Sequence, residues 1–314
     1  MRVQPRAAGL DDLEACLELR SACLARFCEA YPAEARWCPA GAPVPRIEDE
    51  ETLRKHLAKD SEGRWAVLAS RAGEPQAYLL CRTDQAKRQL SIEWHSPRVS
   101  PLACLQEEGG RLVSFVIRLS RRRGVRHISA FLHGPPDEVE ALVSLYRGLG
   151  FEGDPRLEML TRRLRLPPGR HRLRFRSAQE VGLDTFYGID AAVRNWSREE
   201  SEENAEISWR MWSVDPATDW LVAYEGENLV GTVQVALTRQ GVGVVDHIGV
   251  LPEHRGRGLG RCLLTRALAA LRERTDVVWL DVDQDNLPAV RLYQWAGFRV
   301  HHLHGGMVRR MESA

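Results

Sequence analysis

The chain repeats itself once, and that repeat constrains its fold more than any other feature. Leu145-Tyr146-Arg147-Gly148-Leu149-Gly150-Phe151 is echoed by Leu292-Tyr293-Gln294-Trp295-Ala296-Gly297-Phe298, with Tyr, Gly and Phe recurring at one common offset. Upstream, Trp65-Ala66-Val67-Leu68-Ala69 before Gly73-Glu74 matches Trp220-Leu221-Val222-Ala223-Tyr224 before Gly226-Glu227. Both stretches read as a strand, a tight glycine turn and a returning strand. The starts agree too, since Val3–Arg6 and Leu173–Arg176 each lead into a helix. A repeat this long means a duplicated domain, because solenoid repeats are much shorter.

The halves meet at Leu166-Pro167-Pro168-Gly169-Arg170-His171, where two prolines and a glycine interrupt regular structure. We therefore expect a first domain over 1–166, a linker at 167–172 and a second domain over 173–314. The 314 residues suffice for two cores. Divided at Pro167, the halves carry formal charges of +3 and −2, far from the basic footprint of a nucleic-acid binder. The seven cysteines show neither C-x-x-C pairs nor metal-ligand spacing. No apolar run approaches the roughly 20 residues of a membrane helix, and Met1–Ala8 lacks a signal-peptide pattern. These features predict a cytoplasmic protein without nucleic-acid or membrane partners.

The second half is the more legible. After a strand near Leu173–Arg176, helical segments run from Gln179 to about Met211. Strands follow at Trp220–Glu225, Leu229–Thr238 and Val242–Val250. Leu259, Leu263, Leu264, Ala267, Leu268 and Leu271 fall near the 3.6-residue period, predicting a helix from about Gly258 to Arg274. A strand at Val277–Val282, a helix at Leu287–Ala296 and one or two strands through Arg310 complete it. The strand–helix–strand passage from Val250 to Val282 requires a parallel pair, so the sheet is mixed.

Arg255-Gly256-Arg257-Gly258-Leu259-Gly260 sits where a strand ends and a helix begins. Helix N-terminal N–H groups lack intrahelical partners, carry partial positive charge and suit a phosphate. Glycines let the backbone curl around an anion, and Arg255, Arg257 and Arg261 add charge. The glycine spacing is not that of the dinucleotide fingerprint.

With Val250-Leu251-Pro252-Glu253-His254 before it, this loop resembles the acetyl-CoA loop of the GNAT superfamily of N-acetyltransferases. Arg255, Gly258 and Gly260 meet that family's pattern of Arg or Gln, two residues, Gly, one residue, Gly or Ala. A second signal follows in order: Asn286, Ala289, Leu292-Tyr293 and Gly297-Phe298. The resemblance covers the C-terminal half. It implies the α/β (α+β) class: two tandem GNAT-like domains, each a mixed, mostly antiparallel sheet flanked by helices and splayed between its fourth and fifth strands. Acetyl-CoA is the implied cosubstrate, with no metal. Ile248, Val250, Arg255, Gly256, Arg257, Gly258, Leu259, Gly260, Arg261 and Asn286 are the expected cofactor contacts. Asn286 also reads as an N-cap ahead of Leu287-Pro288, and both roles are compatible.

The first half keeps the frame without the chemistry. In place of the phosphate loop it reads Ser100-Pro101-Leu102-Ala103-Cys104-Leu105-Gln106-Glu107-Glu108-Gly109-Gly110, and two glutamates repel a pyrophosphate. Val139 stands where Asn286 does. The expectation is a degenerate, non-catalytic domain before a catalytic one, a plan resembling that of mycothiol synthases.

For catalysis the resemblance points to the Val250 N–H for the oxyanion and to Tyr293 as acid. A core Tyr is the plain alternative, since Tyr146 survives in the first half. Asp246 is the expected base, on a strand with Ile248 and Val250 two residues apart and so on one face. A solvent-facing edge Asp is its alternative. His247 should point the other way, as a packed histidine. Trp209 and Trp212 have helical spacing and read mostly as core, and Arg198–Glu206 as a solvated acidic face. His301, His302 and His304 form a short cluster without an evident acidic partner. The expected reaction is acetyl transfer to a primary amine of a small molecule. Acetylation of a protein N-terminus or lysine, and non-enzymatic acyl-CoA binding, are the alternatives.

Overall fold

The computed structural model describes residues 4–30, 50–58, 63–93, 97–101, 103–162 and 172–311. The expected linker lies outside them except for Arg172. The first half supplies β1 (Gln4–Ala7), α1 (Leu13–Ala30), α2 (Glu50–Leu57), β2 (Arg64–Arg71), β3 (Glu74–Asp84), β4 (Gln89–Ile92), β5 (Arg98–Val99), α3 (Gly110–Arg122), β6 (His127–Gly134), α4 (Pro136–Gly148) and β7 (Arg156–Thr161). The second supplies β8 (Arg174–Ser177), α5 (Ala178–Val181), α6 (Leu183–Arg194), α7 (Arg198–Met211), β9 (Trp220–Glu225), β10 (Asn228–Leu237), β11 (Gly243–Val250), α8 (Leu259–Leu271), β12 (Val278–Asp283), α9 (Leu287–Trp295) and β13 (Arg299–Arg310).

Two compact units result, but they differ from the expected division. The first unit runs to Arg156 and resumes at His302; the second contains Leu157–His301. Each is completed by a strand encoded in the other half of the sequence. In the first unit, Leu303–Arg310 of β13 pairs antiparallel with His127–Gly134 of β6. In the second, β7 lies beside β12, and Met159 is fully buried in that unit's core. A boundary read from prolines cannot see this, because pairing depends on edge complementarity and not on chain proximity.

The sheet of the second unit has the order β7-β12-β11-β10-β9-β8. β8, β9, β10 and β11 are joined antiparallel, whereas β11 and β12 run parallel across the α8 crossover. One face carries α8 and α9, whose Leu259, Leu263, Leu264, Ala267, Leu268 and Leu271 pack on Val233, Val245 and Leu280. That stripe is what the period of α8 predicts. The other face carries α6 and α7 over Phe186, Ala205, Trp220 and Val222. Helix α7 starts at a reciprocal cap: Ser197 Oγ accepts the Glu200 N–H at 3.1 Å, and Glu200 Oε2 accepts the Ser197 N–H at 2.7 Å. The acidic run is its outer face, with Glu199, Glu200, Glu203 and Glu206 exposed. Trp209 departs from expectation: it is 50% exposed, with its ring 6.1 Å from Trp220.

The first unit repeats the plan through β1, β2, β3, β4 and β6, with α1 and α2 packing Cys16, Leu19, Leu53 and Leu57 on Ala66, Leu68, Tyr78 and Leu80. Among the described residues, no helix is long and apolar enough to cross a membrane.

Candidate active site

In the second unit β11 and β12 are paired only at Gly243–Val278 and Val244–Trp279. Beyond Val244, β11 stays with β10 as far as Val250–Gly231 while β12 parts from it. The first unit shows no such parting over β4, all four of whose residues pair with β6. The opening leaves backbone groups of β11 without a strand partner. Leu251 N–H donates to Val230 O at 2.9 Å, and Val250 O accepts from Arg255 Nε at 3.0 Å. Strand alternation therefore turns the N–H groups of Val250 and Ile248 toward the edge that β12 has left.

At the mouth of this opening lies the glycine-rich loop. Gly256 has φ 77° and Gly258 φ 84°, left-handed conformations that glycine adopts without strain. Gly258 is the N-cap of α8, and its side of the helix presents unpaired N–H groups. Alternating left-handed positions curl successive N–H groups into a concave anion seat. Arg255 is anchored on the carbonyls of Val250 and Val193, and Arg261 lies over Trp295 at 4.7 Å.

A cleft of about 600 Å³ joins these parts. It brings together eight expected cofactor residues: Ile248, Val250, Arg255, Gly256, Gly258, Gly260, Arg261 and Asn286. Asn286 also caps α9, its Oδ1 accepting from Ala289 N at 3.3 Å. Two side chains go elsewhere. Leu259 is 1% exposed in the core, and Arg257 pairs with Glu225 Oε2 at 2.5 Å.

The expected alternation along β11 fails at Asp246. The β10–β11 register passes from Gln234–His247 to Val235–Val245, so Asp246 is an extra residue in a β-bulge. Side chains 246 and 247 consequently share the α6/α7 face, whereas Val245, Ile248 and Val250 pack toward α8. Asp246 accepts from Ser208 Oγ on α7 at 2.8 Å. Burial raises its carboxyl above the usual range, against the lowering effects of the Ser208 bond and Arg194. His247 lines the cleft, and its neighbour Gly249 leaves no room for a side chain: a Cβ there would lie 1.9 Å from Val193 Cγ1. Burial, with help from Arg194, pushes the His247 pKa well below its ordinary value. Tyr293 is 8% exposed among core residues, with its ring 6.0 Å from Phe298.

The sequence reading missed Asp190. Within α6 it resembles half of a surface Asp–Arg pair at helical spacing, yet it is 1% exposed. Arg194 Nε and Ser201 Oγ donate to Oδ2 at 2.8 and 2.9 Å, and Gln234 Nε2 and Thr232 Oγ1 to Oδ1 at 3.0 and 3.3 Å. This carboxylate ties α6, α7 and β10 together behind the bulge. The polar Gln234 and Thr232, unusual on a buried strand, were the available signal.

In the first unit, residues Leu105–Gly109 form a π-helical turn, and Gly109 and Gly110 keep ordinary right-handed angles. The Glu108 carboxyl is buried there against Arg71 and Arg111. An internal carboxylate thus stands where an anion seat would be.

Residues 184–298 match the Acetyltransferase (GNAT) family. The chain is 40% identical over 111 residues to a mycothiol acetyltransferase of Thermobispora bispora, a match spanning 33% of this chain and 36% of that protein. Against the mycothiol acetyltransferase of Geodermatophilus obscurus it is 29% identical over 209 residues, 60% of this chain and 65% of the relative. These matches thus span from about a third to just under two thirds of the relatives' length. In structure, the chain is similar to a GCN5-related N-acetyltransferase from Sphaerobacter thermophilus, with a TM-score of 0.55 over 98% of this chain and 96% of that one at 21% identity. That likeness shows the fold.

Proposed function

We propose, from the GNAT acetyltransferase domain that residues 184–298 form, that the second unit transfers an acetyl group from acetyl-CoA to a primary amine of a small molecule by direct attack. The observation that carries this reading is the glycine seat at the α8 N-terminus, opening into a cleft where β11 has lost its strand partner. The residues fit the cosubstrate. Gly256, Gly258 and the first N–H groups of α8 would hold the pyrophosphate, with Arg255 and Arg261 adding charge. Ile248 would pair with the pantetheine amides, Asn286 beside it, and the Val250 N–H would receive the developing oxyanion of the thioester.

Asp246 draws the cationic amine and takes its proton, directly or through water. Burial raises its pKa, which makes it a stronger proton acceptor than an ordinary carboxylate. Tyr293 protonates the departing thiolate. A small-molecule acceptor is favoured by the similarity to proteins named mycothiol acetyltransferases. The first unit, with Glu108 in place of the seat, serves as a non-catalytic partner.

Calorimetric titration of acetyl-CoA into wild type and Gly258→Glu tests the assignment. Wild-type binding that the variant loses supports it, and free-thiol release with a panel of amines then separates catalysis from binding alone. Peptides with free N-termini in the same panel score the protein-acetylation alternative. No wild-type binding overturns the reading.

A further inference from the structure

Acylation of an ammonium group removes two protons from one nitrogen. The first must leave before the nitrogen can attack, and the second leaves the cationic nitrogen of the adduct before an amide can form. A single carboxylate accounts for one of them. The β-bulge places a second acceptor on the same face as Asp246. His247 lines the cleft, its Nε2 is buried without a hydrogen-bond partner, and that atom lies 3.9 Å from Asp190 Oδ1. Around the ring stand Asp190 and Arg194 of α6 and Gln234, its register partner on β10, while Asp246 is its neighbour on β11 and Arg255 lines the same cleft. Arg194 opposes positive charge on the ring, and the Asp190 carboxylate, 3.9 Å from Nε2, is the anion that would offset it.

We propose that His247 is a second proton acceptor of the acetyl transfer, taking the proton of the cationic adduct nitrogen, and that Asp190 is the positioning residue that stabilises the imidazolium. This rests on the acetyl-transfer reading above. The nitrogen bonds the thioester carbon, the carbon–sulfur bond breaks, and the thiolate takes a proton from Tyr293. Asp246 and His247 take one proton each from nitrogen. One of these restores Tyr293 and the other leaves to solvent. With its hydrogen on Nε2 toward Asp190, the neutral ring offers the Nδ1 lone pair as acceptor. Burial favours that neutral form.

The test uses the full chain and begins with acetyl-CoA calorimetry on wild type and His247→Gln. Imidazole nitrogen NMR of the wild type follows, with and without acetyl-CoA. Turnover is read as free thiol from glucosamine, ethanolamine and spermidine as probe amines. The expected result has three parts: His247→Gln binds acetyl-CoA as the wild type does, acetyl-CoA shifts the His247 ring resonances, and kcat falls about 10²-fold. The acid limb of the wild-type profile steepens to a slope of about two, and that of His247→Gln stays near one. Asp190→Asn moves the His247 limb to lower pH. Undiminished turnover by His247→Gln, or ring resonances unmoved in a wild type that binds acetyl-CoA, overturns the proposal. Failure of the wild type to bind acetyl-CoA instead sinks the parent reading, and this inference with it.

Discussion

Glu108 and Arg71 of the first unit form an ion pair whose counterpart in the second, Arg257 with Glu225, has the signs exchanged. Arg71 and Glu225 each end a strand before a two-residue hairpin turn, and Glu108 and Arg257 each lie two residues before a helix. Reversal buries a negative charge where the second unit offers a positive seat. Glu108 is fully buried, and both Arg71 and Arg111 donate to it. Glu108→Gln should therefore destabilise by about 1–3 kcal/mol, since both arginines are partly exposed and recover some hydration. Denaturant melts would show this, while acetyl-CoA affinity should stay unchanged. Affinity gained by this variant would contradict a purely structural first-unit loop.

Gly249→Ala probes a point of the cleft lining that has no room for a side chain. Its new methyl would meet Val193 Cγ1 at 1.9 Å and His247 Nε2 at 2.6 Å. Strand β11 or helix α6 must then shift, at a cost of about 1–3 kcal/mol. We expect acetyl-CoA affinity to fall at least about tenfold, about 1.4 kcal/mol of binding, in the same calorimetric titration. Wild-type affinity would show that the pantetheine path runs elsewhere.

How far the sequence reached can be seen along β11 alone. Its limits, its mixed pairing and the loop after it follow from apolar runs and glycine spacing, because these obey local rules. Strict alternation placed Asp246 with Ile248 and Val250, and that failed because a bulge adds a residue without a composition signature. His247 therefore entered the cleft unforeseen. Asp190 was hidden for a different reason: its partners Ser201, Thr232 and Gln234 are remote in sequence. The exchanged strands β7 and β13 were invisible for the same cause. Locally encoded geometry was legible, and long-range pairing was not.

Asp246→Asn should stabilise the protein while disabling it. The native fold raises the Asp246 pKa, so the folded chain holds this proton more tightly than the unfolded one. Its contribution is thus most favourable below the unfolded value of 3.8 and is lost as pH rises through the folded pKa. At neutral pH the ionised group is a liability that Asn removes, and the Ser208 hydroxyl keeps a partner. A gain of about 1 kcal/mol, raising Tm by roughly 2–4 °C, is expected at pH 7. The gain should shrink toward pH 4, and turnover should fall about 10²–10⁴-fold. Equal Tm values for both proteins at pH 7 would contradict burial as the cause.

Tyr293→Phe and Tyr146→Phe separate catalysis from packing, because the two tyrosines occupy equivalent helix positions. Tyr146 is fully buried, its ring 4.9 Å from Phe151, and burial pushes its pKa well above the ordinary phenol value. We expect it to pack the core and to take no part in the chemistry. Tyr293 keeps a similar aromatic neighbour, yet its unit has the open cleft. We expect Tyr146→Phe to leave kcat within about twofold. Tyr293→Phe should lower kcat about 10²-fold or more with little change in acetyl-CoA affinity, because only thiolate protonation is lost. Acceptors whose attack limits the rate should feel that loss less. If the two variants retain equal turnover, Tyr293 is a core residue like its counterpart, and the thiolate takes its proton from solvent.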